Sequence, residues 1–489
     1  MFVKKIIFVA AAASLLLGGT FAHAQDNGAL LDLLVRKKII TDQEAEEIRG
    51  ELTRDFSQAA AGKMKLSTPI TEFEIYGDAR MRYEVRTAEA GLPDRITPRG
   101  EHTQRNRQRY RLRLGIRGTL ADDWFFGLRL ETSSNPRSTN ITIGDDSSNG
   151  PFAKTSDGIN VGQAYLGYKG FHEITLTAGR MPNPLIATSM VWDGDINPEG
   201  VSEQWKHTFN LSFGAGTTQA AVEGKDGKGT AAVTTEPHKI AIDVFANFAQ
   251  FVYDDTNPED AVGPAPRGVP KTDAYMLAWQ VGAKINFTKD IYLQFAPTLY
   301  NYTGTGDTFN TFFVGDPSFR RGNTIVNLNQ TGANSLLVFD LPTEFGFKVG
   351  EIPIRLFGDF ATNLEADERA RAAGHPDKGD QRYAYQIGVG VGKIKAKHDW
   401  SLQAFYQHAE QFALDPNLVD SNIFDNRVNM EGVAISGSYA VSDAITFTLT
   451  YGYGQQIDRT LGTGGVGDAF AINPLRKYNI FQADLGVKF

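Results

Sequence analysis

Lys477-Tyr478-Asn479-Ile480-Phe481-Gln482-Ala483-Asp484-Leu485-Gly486-Val487-Lys488-Phe489 is the stretch whose reading decides the fold. Phe481, Ala483, Leu485, Val487 and Phe489 alternate with Gln482, Asp484, Gly486 and Lys488. A period of two gives a strand one apolar and one polar face. The length suits a tilted transmembrane strand, which takes roughly 9–11 residues. A soluble sheet shows the same alternation, so the rest of the chain has to decide whether the apolar face meets a core or lipid.

The N-terminal residues point to lipid. Lys4 and Lys5, an apolar run over 6–17 and Ala22-His23-Ala24 before Gln25 have the form of a cleaved secretory leader over 1–24. No Cys follows the cut, which excludes a lipoprotein. Beyond residue 24 no run reaches the ~18 apolar residues of a membrane helix. The expectation is an exported chain that crosses a membrane with strands. A net charge of −8 leaves no footprint for nucleic acid, and the lack of Cys excludes disulfides and thiolate metal sites. A mean hydropathy of −0.29 fits strands of which half the residues face water. His172, His207 and His408 have no metal-ligand spacing, and Asp254-Asp255 with Glu259-Asp260 lacks the EF-hand pattern and reads as a solvated loop. Neither metal nor cofactor is expected. With no Ser-His-Asp elbow, no enzyme is expected either.

Residues 25–70 read as a short α-helical periplasmic segment and linker. Thr41 and Glu44 form a capping box, and Ala45, Ile48, Leu52 and Phe56 recur at helical spacing. The segment either packs under the barrel or joins neighbouring subunits, or it is a lid with a packing role only.

From Thr71 the period becomes two. Phe73, Ile75, Met81, Tyr83 and Val85 alternate with Glu72, Glu74, Asp78, Arg80, Arg82, Glu84 and Arg86. A face filled with charges is what a wet lumen permits and a packed core forbids. Leu112, Leu114 and Ile116 then oppose Arg109, Arg111, Arg113 and Arg117, and Ala121-Asp122-Asp123 turns the chain into Trp124. Extended over 71–489, the pattern predicts about sixteen antiparallel strands: 71–86, 105–120, 124–134, 160–169, 172–180, 204–214, 238–252, 272–287, 290–302, 335–349, 352–363, 381–395, 399–411, 428–441, 444–456 and 477–489. The fold class is an all-β transmembrane barrel. Short turns alternate with long connections, as in outer-membrane barrels, except at 217–237, which is long on the short-turn side. The glycines at 388, 390 and 392 read as small lumenal residues of a strand, because no helix follows them.

The third long connection, 181–203, carries the most distinctive residues: Gly179-Arg180-Met181-Pro182-Asn183-Pro184 and Val191-Trp192-Asp193-Gly194-Asp195-Ile196-Asn197-Pro198-Glu199-Gly200. These GR-x-x-NP and VWD-x-D-x-NPEG patterns resemble the "Putative porin" family of outer-membrane proteins, and the organisation of 28–489 is similar to that family's. The resemblance implies a general-porin barrel whose third outer loop folds inward and narrows the lumen, with Asp193, Asp195 and Glu199 as an acidic rim. It also implies a homotrimer, contacts with outer-membrane lipid and lipopolysaccharide, and a terminal Phe489 read by the barrel-assembly machinery.

A basic wall follows from the strand phase alone: Arg80, Arg82, Arg109, Arg111 and Arg113 share the lumen side. Opposed charges across a narrow pore set up a transverse field that favours small polar solutes, and charged rings set ion preference. Two readings of these arginines stand: they line the constriction, or they pair with Glu72, Glu74, Asp78 and Glu84 and stiffen the wall. The Trp192-Asp193 loop either folds inward or lies over the mouth or a neighbour. The function expected is passive diffusion of small hydrophilic solutes and ions. The alternatives are a pore selective for sugars or anions, with Tyr76, Phe125, Tyr165 and Tyr292 as stacking platforms, or a structural barrel that tethers the envelope.

Overall fold

The computed structural model describes residues 69–90, 102–133, 138–144, 158–213, 238–254, 274–304, 318–321, 324–327, 335–464 and 474–489. The chain divides into two units, Met1–Thr68 and Pro69–Phe489. The first lies outside the described residues, and with it the expected leader and nearly all of the expected helical segment.

The second unit is a closed barrel of sixteen antiparallel strands. In order they are β1 (Ile70–Ala90), β2 (His102–Leu120), β3 (Trp124–Thr132), β4 (Ile159–Phe171), β5 (Ile174–Arg180), β6 (Glu199–Phe213), β7 (His238–Asp254) and β8 (Ala274–Asn286). The second half holds β9 (Tyr292–Phe295 continued by Thr298–Gly304), β10 (Leu337–Asp340 continued by Thr343–Val349), β11 (Ile352–Asn363) and β12 (Tyr383–Gly392). Finally come β13 (Trp400–Ala409), β14 (Met430–Ala440), β15 (Ile445–Gln456) and β16 (Leu475–Lys488). Each pairs with its sequence neighbour, and β16 returns to β1 with Asp78 opposite Lys488 and Arg82 opposite Asp484. Closure leaves no strand edge unpaired, which lipid requires.

The alternation holds strand by strand. Leu112, Leu114, Leu130, Val281, Ile387, Val433 and Leu485 are exposed on the outer surface, while Arg82, Glu84, Arg86, Arg107 and Arg109 are buried on the inner one. Trp124, Phe171, Trp400 and Tyr439 stand exposed on the outer face near the short turns, where a membrane-interface belt belongs. Asp122 and Asp123 both have positive φ, 59° and 64°, as a two-residue hairpin turn with right-handed strand twist demands.

Three local features depart from the simple pattern. β9 and β10 are each broken at a proline, Pro297 and Pro342, which cannot donate to the ladder, and Ala296 N–H bonds Pro342 O at 3.1 Å across the gap. β6 begins at Glu199, five residues earlier than its pattern predicts, so the third long connection shortens to 181–198. Gly179 and Gly200 face each other there with φ of +116° and +149°, and a side chain on either would run into the next strand's carbonyl oxygen. Finally, a helix absent from the sequence reading, α1 (Ala366–Ala372), lies in the connection after β11. Seven residues are too few to display a helical period. The 214–237 insert lies outside the described residues, but Phe213 pairs directly with His238, so the flanking strands are neighbours without an intervening one.

At the seam Phe489 exchanges two backbone hydrogen bonds with Gly77, at 2.9 and 3.1 Å, and its ring covers that glycine.

Candidate functional site

The inner faces of β1, β2 and β16 carry a ladder of guanidiniums interleaved with carboxylates. Arg111 and Arg113 both reach Asp78, at 2.8 and 2.6 Å. Arg82 makes a two-pronged pair with Asp484 at 2.7 and 2.8 Å, and Arg80 lies 3.8 Å from the same carboxylate. Glu84, fully buried, receives Arg86 at 2.8 Å and Arg107 at 2.6 Å, with Arg82 and Arg109 each at 3.8 Å. Every arginine of the expected basic wall therefore has a wall carboxylate near it. Such charge-assisted pairs fix side-chain direction. Arg80, Arg111 and Arg113 keep 16, 12 and 19% of their side chains open to the lumen, whereas Arg82 and Arg109 are sealed.

The connection 181–198 runs inside this wall. Ile186 exchanges backbone hydrogen bonds with the Gln280 amide of β8, at 3.0 and 2.9 Å, and Thr188 donates to Asp359 of β11. From there the chain crosses to the opposite side. Asp195 comes within 3.5 Å of Arg111 and 3.7 Å of Arg113, and Asn197 accepts from Gln163 of β4 at 2.9 Å. Asp195 thus meets the arginines from the loop side, as the acidic rim requires.

Asp193 and Glu199 are placed otherwise. Asp193 is buried and accepts the backbone N–H of Asp195 at 2.9 Å and of Ser421 at 3.0 Å, stitching the loop to the connection 410–429. Glu199 pairs with Arg180 at 2.8 Å on the strand phase of the exposed Val201, and is not brought to the arginine ladder.

The connection 410–429 was legible only as a long loop, yet it is the second element inside the barrel. Asn422 accepts from Arg82 at 2.9 Å and Asp425 from Arg86 at 2.9 Å, while Asp420 N–H bonds Ser189 O at 3.1 Å. The two connections share an apolar core with small lumenal residues of the wall: Leu185, Met190, Trp192, Leu414 and Val419 against Ala249, Ala278, Ala361, Ala384 and Ala409. Alanines on the lumen phase leave room for these loops, and they were the available sequence signal.

Trp192 anchors the arrangement. Its ring lies 6.2 Å from that of Phe251, and Nε1 donates to Ile196 O at 3.0 Å. Trp192→Ala is expected to cost about 3 kcal/mol of loop docking. That corresponds to roughly a hundredfold faster hydrogen exchange at the amides of 191–196, measurable by mass spectrometry, with the strands unaffected.

Burial and the neighbouring Asp420 and Asp195 carboxylates push the Asp193 carboxyl up to about 7. The docked loop therefore holds a proton that a freed Asp193 releases near its ordinary value of about 4. Docking is fully favoured at low pH and weakens as pH rises through that interval to about 7. Open-channel current noise should accordingly grow between pH 5 and pH 8, and Asp193→Asn should flatten the trend.

The aromatic residues expected as stacking platforms are already engaged. Tyr76 lies against Gly115, Phe125 against Gly167, Tyr165 against Gly127 and Tyr292 against Gly346, each on a neighbouring strand. These contacts stiffen the wall.

The family model described as "Putative porin" matches residues 88–344 and 338–489. No curated protein matches the chain. Among solved structures, a multiple mutant of Rh. blastica porin is similar at 11% identity, over 85% of this chain and 100% of that one, with a TM-score of 0.37. A second mutant of the same porin has identical coverage and identity with a TM-score of 0.36. A triple mutant of Rhodopseudomonas blastica porin covers 85% and 100% at 11% identity with a TM-score of 0.35.

Proposed function

The chain belongs to the "Putative porin" family, and from that membership and the site above we propose that it is an outer-membrane pore for passive diffusion of small hydrophilic solutes and ions. The connection 181–198 narrows the lumen. The observation that carries this reading is its crossing from Thr188 on Asp359 of β11 to Asp195 on Arg111 and Arg113 of β2. The narrow passage lies between Asp195 and the open sides of Arg80, Arg111 and Arg113. Phe489 at the seam serves as the assembly signal, and the barrels associate as homotrimers embedded in lipid and lipopolysaccharide.

On β1, β2 and β16 the lumenal guanidiniums outnumber the carboxylates, which supports a modest preference for anions. The test is single-channel recording of the purified chain in a planar bilayer, with a KCl gradient. Stepwise, poorly saturable conductance with a reversal potential displaced toward chloride is the expected result. Folded protein that passes no current would overturn the reading.

A further inference from the structure

Behind the inward connection three adjacent strands bring together oxygen atoms that the channel reading does not use. Tyr300 of β9 is opposite Val338, two residues before Asp340 of β10, and Asp340 is opposite Ala361, two residues after Asp359 of β11. All three face inward, with 2, 0 and 4% of their surface exposed. Thr188 covers them and donates to Asp359 Oδ2. Yet both carboxylate oxygens of Asp340, Oδ1 of Asp359 and the hydroxyl of Tyr300 have no hydrogen-bond partner. Among the described residues no Lys or Arg forms an ion pair with either carboxylate.

A buried acceptor without a donor costs about 1–3 kcal/mol, and an uncompensated carboxylate more. Elsewhere in this lumen buried acids are met by arginines, so the exception asks for another positive partner. Oxygens bound to one hard cation at about 2.4 Å stand roughly 3.5–4.8 Å from each other, beyond hydrogen-bond reach. Four oxygens can in that way share a pocket without bonding one another.

We propose that Asp340, Asp359 and Tyr300 form a site for one hard divalent cation of the calcium class, which fastens the inward connection to the wall through Thr188. Two carboxylates balance the charge of such an ion, and an all-oxygen set disfavours softer metals. Sequence spacing could not reveal the site, because each strand contributes one residue. The binding readout does not depend on conduction, so it stands or falls separately from the channel reading.

The full chain, folded in detergent and stripped with a chelator, would be titrated with calcium chloride by calorimetry. Hydrogen exchange over 185–192 would be followed with and without the ion. One equivalent should bind and slow that exchange, and Asp340→Asn or Asp359→Asn should each weaken binding at least tenfold. Both variants keep an oxygen in place, and heat-modifiable gel mobility reports whether they fold; if one does not, the other carries the comparison. Tb³⁺ excited through tyrosine gives a second readout, expected to fall in Tyr300→Phe. Two results would overturn the proposal: no calcium equivalent that depends on either Asp, or protection of 185–192 that follows pH and ignores calcium. The latter would mean that the two acids share a proton.

Discussion

Replacing residues 182–197 by Asn-Gly is expected to raise single-channel conductance about two- to fivefold, by removing the element that crosses the lumen. The design follows from the strand ends. Arg180 stands opposite Glu199, and Met181 N–H bonds Pro198 O at 3.0 Å, so a two-residue turn can close β5 onto β6. The wall should survive, because its ladders do not pass through the connection. Three contacts would be lost together: Thr188 on Asp359, Asp193 on Ser421 and Asp195 on Arg111. The newly uncovered Phe251 and Met276 would make the lumen more apolar. An unchanged conductance from the folded variant would show that the current is limited elsewhere, with the connection 410–429 the next element to remove.

Arg111→Gln combined with Arg113→Gln should turn the pore toward cations, changing the potassium-to-chloride permeability ratio about five- to tenfold. Both guanidiniums lean on Asp78 and Asp195, and without them those two carboxylates face the passage uncompensated. The stability cost should stay near 1–3 kcal/mol, because lumen water still reaches Asp78. Arg82→Gln offers the contrast. Its side chain is 5% exposed and bound to Asp484 and Asn422, so ion preference should hardly respond. A reversal potential that ignores the double substitution would place the selectivity-setting charges away from β2.

The strands were readable because a barrel wall between lipid and water imposes one rule on every residue, and the alternation from Phe73 to Arg86 states that rule openly. The lumenal phase of the arginines followed from the same rule. What phase cannot give is the partner. Asp484 lies at the far end of the chain from Arg82, and nothing in either neighbourhood announces their pairing. The inward connections follow no period, so their docking depends on shape. The alanines at 249, 278, 361, 384 and 409 hint at it only once the barrel is assembled in space. Glu199 shows the reverse case: it belongs to a recognisable motif, but strand β6 starts early and its pairing carries the side chain to Arg180.

Arg82 and Asp484 are 402 positions apart in the chain, and they meet where the last strand joins the first. Bringing such distant segments together costs roughly 5 kcal/mol of loop entropy, so the joint forms late and the open sheet exposes two unsatisfied edges until it does. The two-pronged ion pair sits across that joint, beside the hydrogen bonds of Phe489 to Gly77. Arg82 thereby acts as a fastener of the finished cylinder, and its loss should appear as slower insertion and more aggregated precursor.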